Sequence, residues 1–135
     1  MELYLLSYLG LSEILSGLIG VLVGALIGNR LALGRDKRKE YNLIVIPVRE
    51  VLIKQLSMLN DGNFQHGLNE SDIEKLQARS SNSEFKRIKK IYKTYDYYRS
   101  NSGTHDSYGN FTKDDEYFKK FTDQTTLFLN KLKLK

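Results

Sequence analysis

The sequence predicts an all-α chain, with a single N-terminal transmembrane helix followed by a small cytoplasmic helical bundle. Three observations predict it. No charged side chain stands between Glu13 and Arg30, and the apolar character resumes through Leu31, Ala32 and Leu33. Beyond that run, apolar residues recur at three- and four-residue spacing in segments separated by Asn, Gly and Ser clusters. No segment sustains the two-residue alternation of a half-buried strand.

Length and composition bound the rest. Of 135 residues, about 30 are needed in and beside the bilayer, and the remainder supports one modest core but not two. The expected division is residues 1–34, a cap and membrane helix, and residues 35–135, a cytoplasmic helical domain. All of the Lys and Arg behind the net charge of +5 lie beyond residue 29, because the first 29 positions hold Glu2 and Glu13 but no Lys or Arg. There is no cysteine, which excludes a disulfide framework, a thiol nucleophile and a thiolate metal site. A single proline and the lack of a long low-complexity tract argue against wholesale disorder.

A helix needs about 20 residues to cross the hydrocarbon, and residues 11–33 supply them if Arg30 snorkels to the interface. A cleaved signal would carry basic residues ahead of the apolar run and a small-x-small site after it. Neither pattern is present, so the run reads as an uncleaved anchor. Its bland alternative is a buried helix of a soluble protein. Arg30, Arg35, Lys37, Arg38 and Lys39 follow the run, with no basic side chain before it. By the positive-inside rule the span is then a single pass with the C-terminal domain cytoplasmic and Met1 outside. These five side chains set orientation and meet lipid headgroups. Residues 1–10 either extend the helix or lie in the interface, with Tyr4 and Tyr8 at headgroup level.

Ser12, Ser16, Gly20, Gly24, Gly28 and Ala32 form an unbroken i+4 register of six small residues. Such a ridge lets helix backbones approach closely in lipid, where small-xxx-small motifs associate spans. Each step advances about 40° beyond a full turn, which suits a right-handed crossing. The competing explanation is that glycine is simply common in membrane helices. Glu13, one residue from the ridge at its outer end, would line a mouth in a ring of copies and sit at the interface in a lone span.

The charged run after Gly34 contains no strong breaker before Pro47, so the helix is expected to leave the membrane and continue, with a bend at Gly34. Tyr41, Ile44, Val45, Val48, Val51, Leu52, Leu56 and Leu59 mark its apolar stripe. Pro47 either kinks the helix or separates two pieces of it. Asn60-Asp61-Gly62-Asn63 stops it, and Phe64 to Asn69 is a loop. Ser71-Asp72-Ile73-Glu74 reads as a capping box opening a short helix that fades by Arg79. Ser83 caps the next helix, Glu84 to Arg99, with Phe85, Ile88, Ile91, Tyr92, Tyr95 and Tyr98 inward. Ser100 to Asn110 is a loop. Thr112, with Asp114, Asp115 and Glu116 in the first turn, opens a last helix whose buried stripe is Phe118, Phe121, Thr125, Phe128 and Leu132. Lys131, Lys133 and Lys135 suit its C-terminal end. A long helix packed by two or three antiparallel ones makes a small bundle.

Two constellations carry candidate chemistry. Lys86, Arg87, Lys89, Lys90 and Lys93 make a basic helix face interleaved with aromatics. This pattern fits nucleic-acid phosphates and stacked bases, anionic lipid, or a solvated face over an aromatic core. Arg99 and His105 stand where a helix end meets a loop before the last helix. No zinc site, phosphate loop or nucleophile elbow is visible, so no metal, cofactor or other catalytic group is expected. Asp114-Asp115-Glu116 reads as helix capping.

The Arg99–His105 spacing resembles the Arg-to-His motif of HEPN ribonucleases, also small helical bundles. The resemblance implies RNA cleavage through a 2′-hydroxyl by Arg99 and His105, although Ser100 stands where that family usually carries Asn, Asp or His. The junction from Gly28-Asn29-Arg30-Leu31 through Arg35-Asp36-Lys37-Arg38-Lys39-Glu40-Tyr41-Asn42, followed by Pro47-Val48-Arg49, resembles small single-pass proteins of prophages and related mobile elements. The architecture is also similar to pore-forming phage-defence effectors, including a membrane accessory of CRISPR systems whose soluble part is HEPN-like. This last similarity implies a homo-oligomeric, non-enzymatic effector that responds to a phage protein and forms a pore in the bacterial inner membrane. The alternatives are a membrane-tethered HEPN-like ribonuclease or nucleic-acid-binding module, and a passive prophage anchor or holin-regulating protein.

Overall fold

The computed structural model describes the backbone of residues 2–135 and the side chains of residues 13–135. The chain is mostly helical: α1 (Glu2–Asn60), α2 (Glu70–Gln77), α3 (Asn82–Asn101), the strands β1 (Gly103–His105) and β2 (Phe111–Lys113), and α4 (Asp115–Lys131). It divides into two compact units, Met1–Arg38 and Lys39–Lys135.

In the first unit every described side chain from Glu13 to Leu31 is exposed. Among the described residues one helix is long and apolar enough to cross a membrane. The sequence expectations on Tyr4, Tyr8 and Ser12 concern side chains outside the described residues.

In the second unit, α1 buries Tyr41, Val45, Val48, Leu52, Gln55 and Leu59. Their alternating four- and three-residue steps keep one narrow seam inward. The expected stripe errs at its lower end, where Gln55 is buried while Leu56 is half-buried and Val51 exposed. Both ends of the Gln55 amide are satisfied, which makes its burial tolerable. Pro47 lies inside α1 without dividing it. It leaves the Leu43 carbonyl without its usual intrahelical donor.

The predicted stop is a Schellman motif: Gly62 N–H donates to the Leu59 carbonyl at 3.0 Å and Asn63 N–H to the Met58 carbonyl at 2.9 Å. Gly62 supplies the required left-handed conformation at φ +80°. α2 opens two residues earlier than expected from Ser71. Asn69 caps it, accepting from Asp72 N–H at 3.0 Å and donating its own N–H to the Asp72 carboxylate at 3.1 Å. The cap of α3 is Ser81 rather than Ser83, because the accepted N–H belongs to Glu84, three residues on (3.3 Å).

The expected loop after α3 holds a small antiparallel hairpin, which qualifies the all-α prediction. β1 and β2 pair Gly103 with Lys113, Thr104 with Thr112 and His105 with Phe111. Strands of three residues are too short to show alternation. Thr112 therefore belongs to β2, and Asp114 caps α4 by accepting from Glu116 and Tyr117 N–H at 3.1 and 3.0 Å.

The α4 stripe is buried as the sequence predicts: Phe118, Phe121, Thr125, Phe128 and Leu132. α3 turns Ile88, Tyr92 and Tyr95 against it. The Tyr95 ring lies 5.4 Å from Phe121 and 5.6 Å from Phe128. Burial of each such aromatic contributes about 1.5–3 kcal/mol, and these rings form the centre of the core. α1 is tied to this core by hydrogen bonds as well. Arg49 donates to the Leu129 carbonyl at 2.8 Å and to that of Leu132. The Asn42 amide exchanges two bonds of 2.9 Å with the Lys135 backbone.

Candidate functional site

The small-residue ridge lies on the least buried stretch of the described residues. Within the described residues it comprises Ser16, Gly20, Gly24, Gly28 and Ala32. A Cβ placed on Gly20, Gly24 or Gly28 would meet nothing within 4 Å. Ile19, Val21, Leu22, Val23, Leu26 and Ile27 beside them are all exposed. The segment has a mean hydropathy of 1.8 with none of its most apolar window buried. Among the described residues these glycines therefore have no packing partner. Ser16 Oγ donates back to the Glu13 carbonyl at 2.9 Å, which satisfies the hydroxyl inside the helix. The Glu13 side chain is exposed. Arg30, Arg35, Lys37, Arg38 and Lys39 are exposed too, and none has an ion-pair partner among the described residues.

Arg99 occupies a different kind of position. Its guanidinium donates to the His66 carbonyl at 3.0 Å, to the Leu68 carbonyl and to the Asp96 carboxylate. It also lies 5.9 Å from the centre of the Tyr95 ring. Three acceptors engage its fork, so Arg99 fastens the loop between α1 and α2 onto α3. His105, on β1, is exposed and packs edge-on against Phe64 at 5.7 Å. Its ring is nearly parallel to that of His66, with centroids 6.5 Å apart and planes at 11°. His66 is the residue that sequence reasoning missed here. Its only signal was being one of just two histidines in the chain.

The basic face is as exposed as its charge suggests: Lys86, Arg87, Lys89, Lys90 and Lys93 all face solvent. The interleaved aromatics mostly do not join them. Tyr92 and Tyr95 are buried, and desolvation pushes both phenols above their ordinary range. Tyr97, 55% exposed, is the open ring on that helix. No group of three or more His, Cys, Asp or Glu side chains converges as a metal site among the described residues.

One further cluster was not read in the sequence, where Tyr41 belonged to the apolar stripe and Lys135 to helix-end charge. Glu84 accepts from the Tyr41 hydroxyl at 3.0 Å and from Lys135 Nζ at 2.9 Å. Lys135 Nζ also stands 3.9 Å over the Tyr41 ring, a cation–π distance. Burial and the Glu84 bond together push the Tyr41 phenol up to about 12. Desolvation would raise the Glu84 carboxyl, but the Lys135 and Tyr41 bonds outweigh it and hold the group below its ordinary range.

Comparison with protein-family models, curated proteins and solved structures returns no match.

Proposed function

We propose that this chain is a membrane-anchored, self-associating effector. In this reading α1 crosses the bacterial inner membrane once, with its N-terminus outside and residues 39–135 in the cytoplasm. Copies pack through Gly20, Gly24 and Gly28, and their spans assemble into a pore that depolarises an infected cell. Arg30, Arg35, Lys37, Arg38 and Lys39 hold the orientation against anionic headgroups, and Glu13 stands at the pore mouth. The helical domain senses the trigger, a phage protein being the natural candidate.

One observation carries the reading: three glycines in register on the unburied apolar stretch of α1, with open space where each side chain would be. Lipid is as apolar as leucine, so packing between spans depends on close backbone approach, which the ridge permits. Gly20→Leu/Gly24→Leu is expected to abolish permeabilisation measured with a membrane-potential dye. Undiminished leakage from that variant would remove the pore.

The second reading is a membrane-tethered HEPN-like ribonuclease. Its support is the exposed, stacked His66–His105 pair beside the Arg99-fastened loop. It requires RNA cleavage that disappears in His105→Ala, and a full chain inert towards RNA removes it.

A further inference from the structure

The Tyr41–Glu84–Lys135 cluster borders a concavity of about 240 Å³ lined by Tyr41, Glu84, Arg87, Lys131, Lys133 and Lys135. An adjoining concavity shares Glu84, Arg87 and Lys135 and adds the Ser81 and Ser83 hydroxyls of the α3 N-terminus. Four cations and one carboxylate thus converge from α3 and from the end of α4 and the segment after it. The carboxylate is already matched by Lys135. Arg87, Lys131 and Lys133 have no ion-pair partner among the described residues.

Helix-end electrostatics do not account for this arrangement. A cation favours the negative end of a helix only within its last turn, and Lys131 alone stands in the last turn of α4. Lys133 and Lys135 lie beyond the helix, yet their backbone is fixed. Asn42 clasps Lys135 N–H and carbonyl, and Arg49 holds the carbonyls of Leu129 and Leu132. The segment is thereby held where its lysines face Arg87. Like charges gathered around one concavity repel one another and focus a positive potential. A bound anion relieves both effects.

We infer that this concavity is a binding site for a phosphate group, with Arg87, Lys131 and Lys133 as its charged donors. Arg87 offers the planar fork suited to phosphate oxygens, and the lysines supply point charges. Ser83 lies beside it, at the helix end whose polarity a phosphate prefers. The site stands apart from the pore reading and survives its failure. The phosphate belongs either to an anionic lipid headgroup or to a free phosphate compound.

The test uses the full chain in neutral detergent, with its melting temperature followed by circular dichroism at constant ionic strength. The probes are dioctanoyl-phosphatidylglycerol and inorganic pyrophosphate, with dioctanoyl-phosphatidylcholine as the zwitterionic comparison. At least one anionic probe is expected to raise the melting temperature saturably. Lys131→Ala/Lys133→Ala, two exposed positions, is expected to weaken that effect about tenfold or more while the unliganded chain melts no lower than before. Lys86→Ala/Lys90→Ala removes the same charge from the open face of α3 and is expected to leave the midpoint within about twofold. A response to phosphatidylglycerol alone assigns the site to lipid, and one to pyrophosphate alone to a soluble phosphate compound. Saturation by neither probe overturns the site. Equal weakening in both double variants also overturns it, because a diffuse surface field then explains the binding.

Discussion

The Tyr95 hydroxyl donates to Gln55 Oε1 at 2.6 Å across the core and accepts the Leu68 N–H at 3.1 Å. Gln55 Nε2 in turn donates to the Gln65 carbonyl at 2.8 Å. One buried polar pair therefore joins α1 and α3 to the loop that connects α1 to α2. Tyr95→Phe leaves Gln55 Oε1 and Leu68 N–H buried and unpaired, and is expected to cost about 1–3 kcal/mol. Denaturant unfolding of the detergent-solubilised chain measures it, and a loss within about 0.5 kcal/mol would show that water replaces the hydroxyl.

Gly67 sits in that loop at φ +69°. An added Cβ would collide with the Gln55 amide and the Tyr95 hydroxyl. Gly67→Ala therefore combines a disfavoured backbone with steric overlap, and about 2–4 kcal/mol of destabilisation is expected. Gly62 also has a positive φ, +80°, but its Cβ would meet nothing. The alanine change there is expected to be the milder of the two, a ranking that paired melting curves resolve.

Arg99 separates structural from catalytic explanations. Its three acceptors predict that Arg99→Ala loosens residues 65–68 and destabilises the chain by about 1.5–3 kcal/mol. Hydrogen exchange of Leu68 N–H is expected to rise in that variant. Loss of an activity in Arg99→Ala alone is thus not evidence for a ribonuclease, whereas His105→Ala, at an exposed ring, is the informative change.

The Tyr41–Glu84–Lys135 cluster gives stability two pH limits. The Glu84 carboxyl is held below its ordinary value of 4.5, so its contribution is complete above that value and is lost as pH falls through the lowered one. Tyr41 is raised from 10.0 to about 12. Its contribution is complete below pH 10 and is lost as pH rises towards 12. Glu84→Gln is expected to flatten the acid limb of melting temperature against pH, and Tyr41→Phe part of the alkaline limb. Acid limbs that superimpose in wild type and Glu84→Gln would place the acid sensitivity elsewhere.

The sequence made the strongest periodic features legible. The Phe118–Leu132 stripe and the stop at Asn60–Asn63 were readable because each rests on local spacing or local turn chemistry. Gln55 was not readable as core, since its burial depends on Tyr95, 40 residues away. Ser81 and Ser83 both carry capping hydroxyls, and only the backbone entering α3 distinguishes them. The hairpin was hidden by its length. Gly103 marks it in retrospect, since a Cβ there would strike the Thr112 carbonyl and the Phe111 ring. For the candidate site the situation is reversed. The ridge was legible because its register is strictly local, whereas the Arg87–Lys131–Lys133 concavity needs α3 and the chain end brought together.

The absence of native cysteine permits the most direct test of self-association through the ridge. Single-cysteine variants Gly24→Cys and Leu22→Cys are compared by oxidative crosslinking in native membranes. Leu22 stands about 160° from Gly24 around the helix. The expected result is a disulfide-linked dimer from Gly24→Cys and little or none from Leu22→Cys. Equal crosslinking at both positions, or crosslinking at Leu22 alone, would contradict association through the glycine ridge.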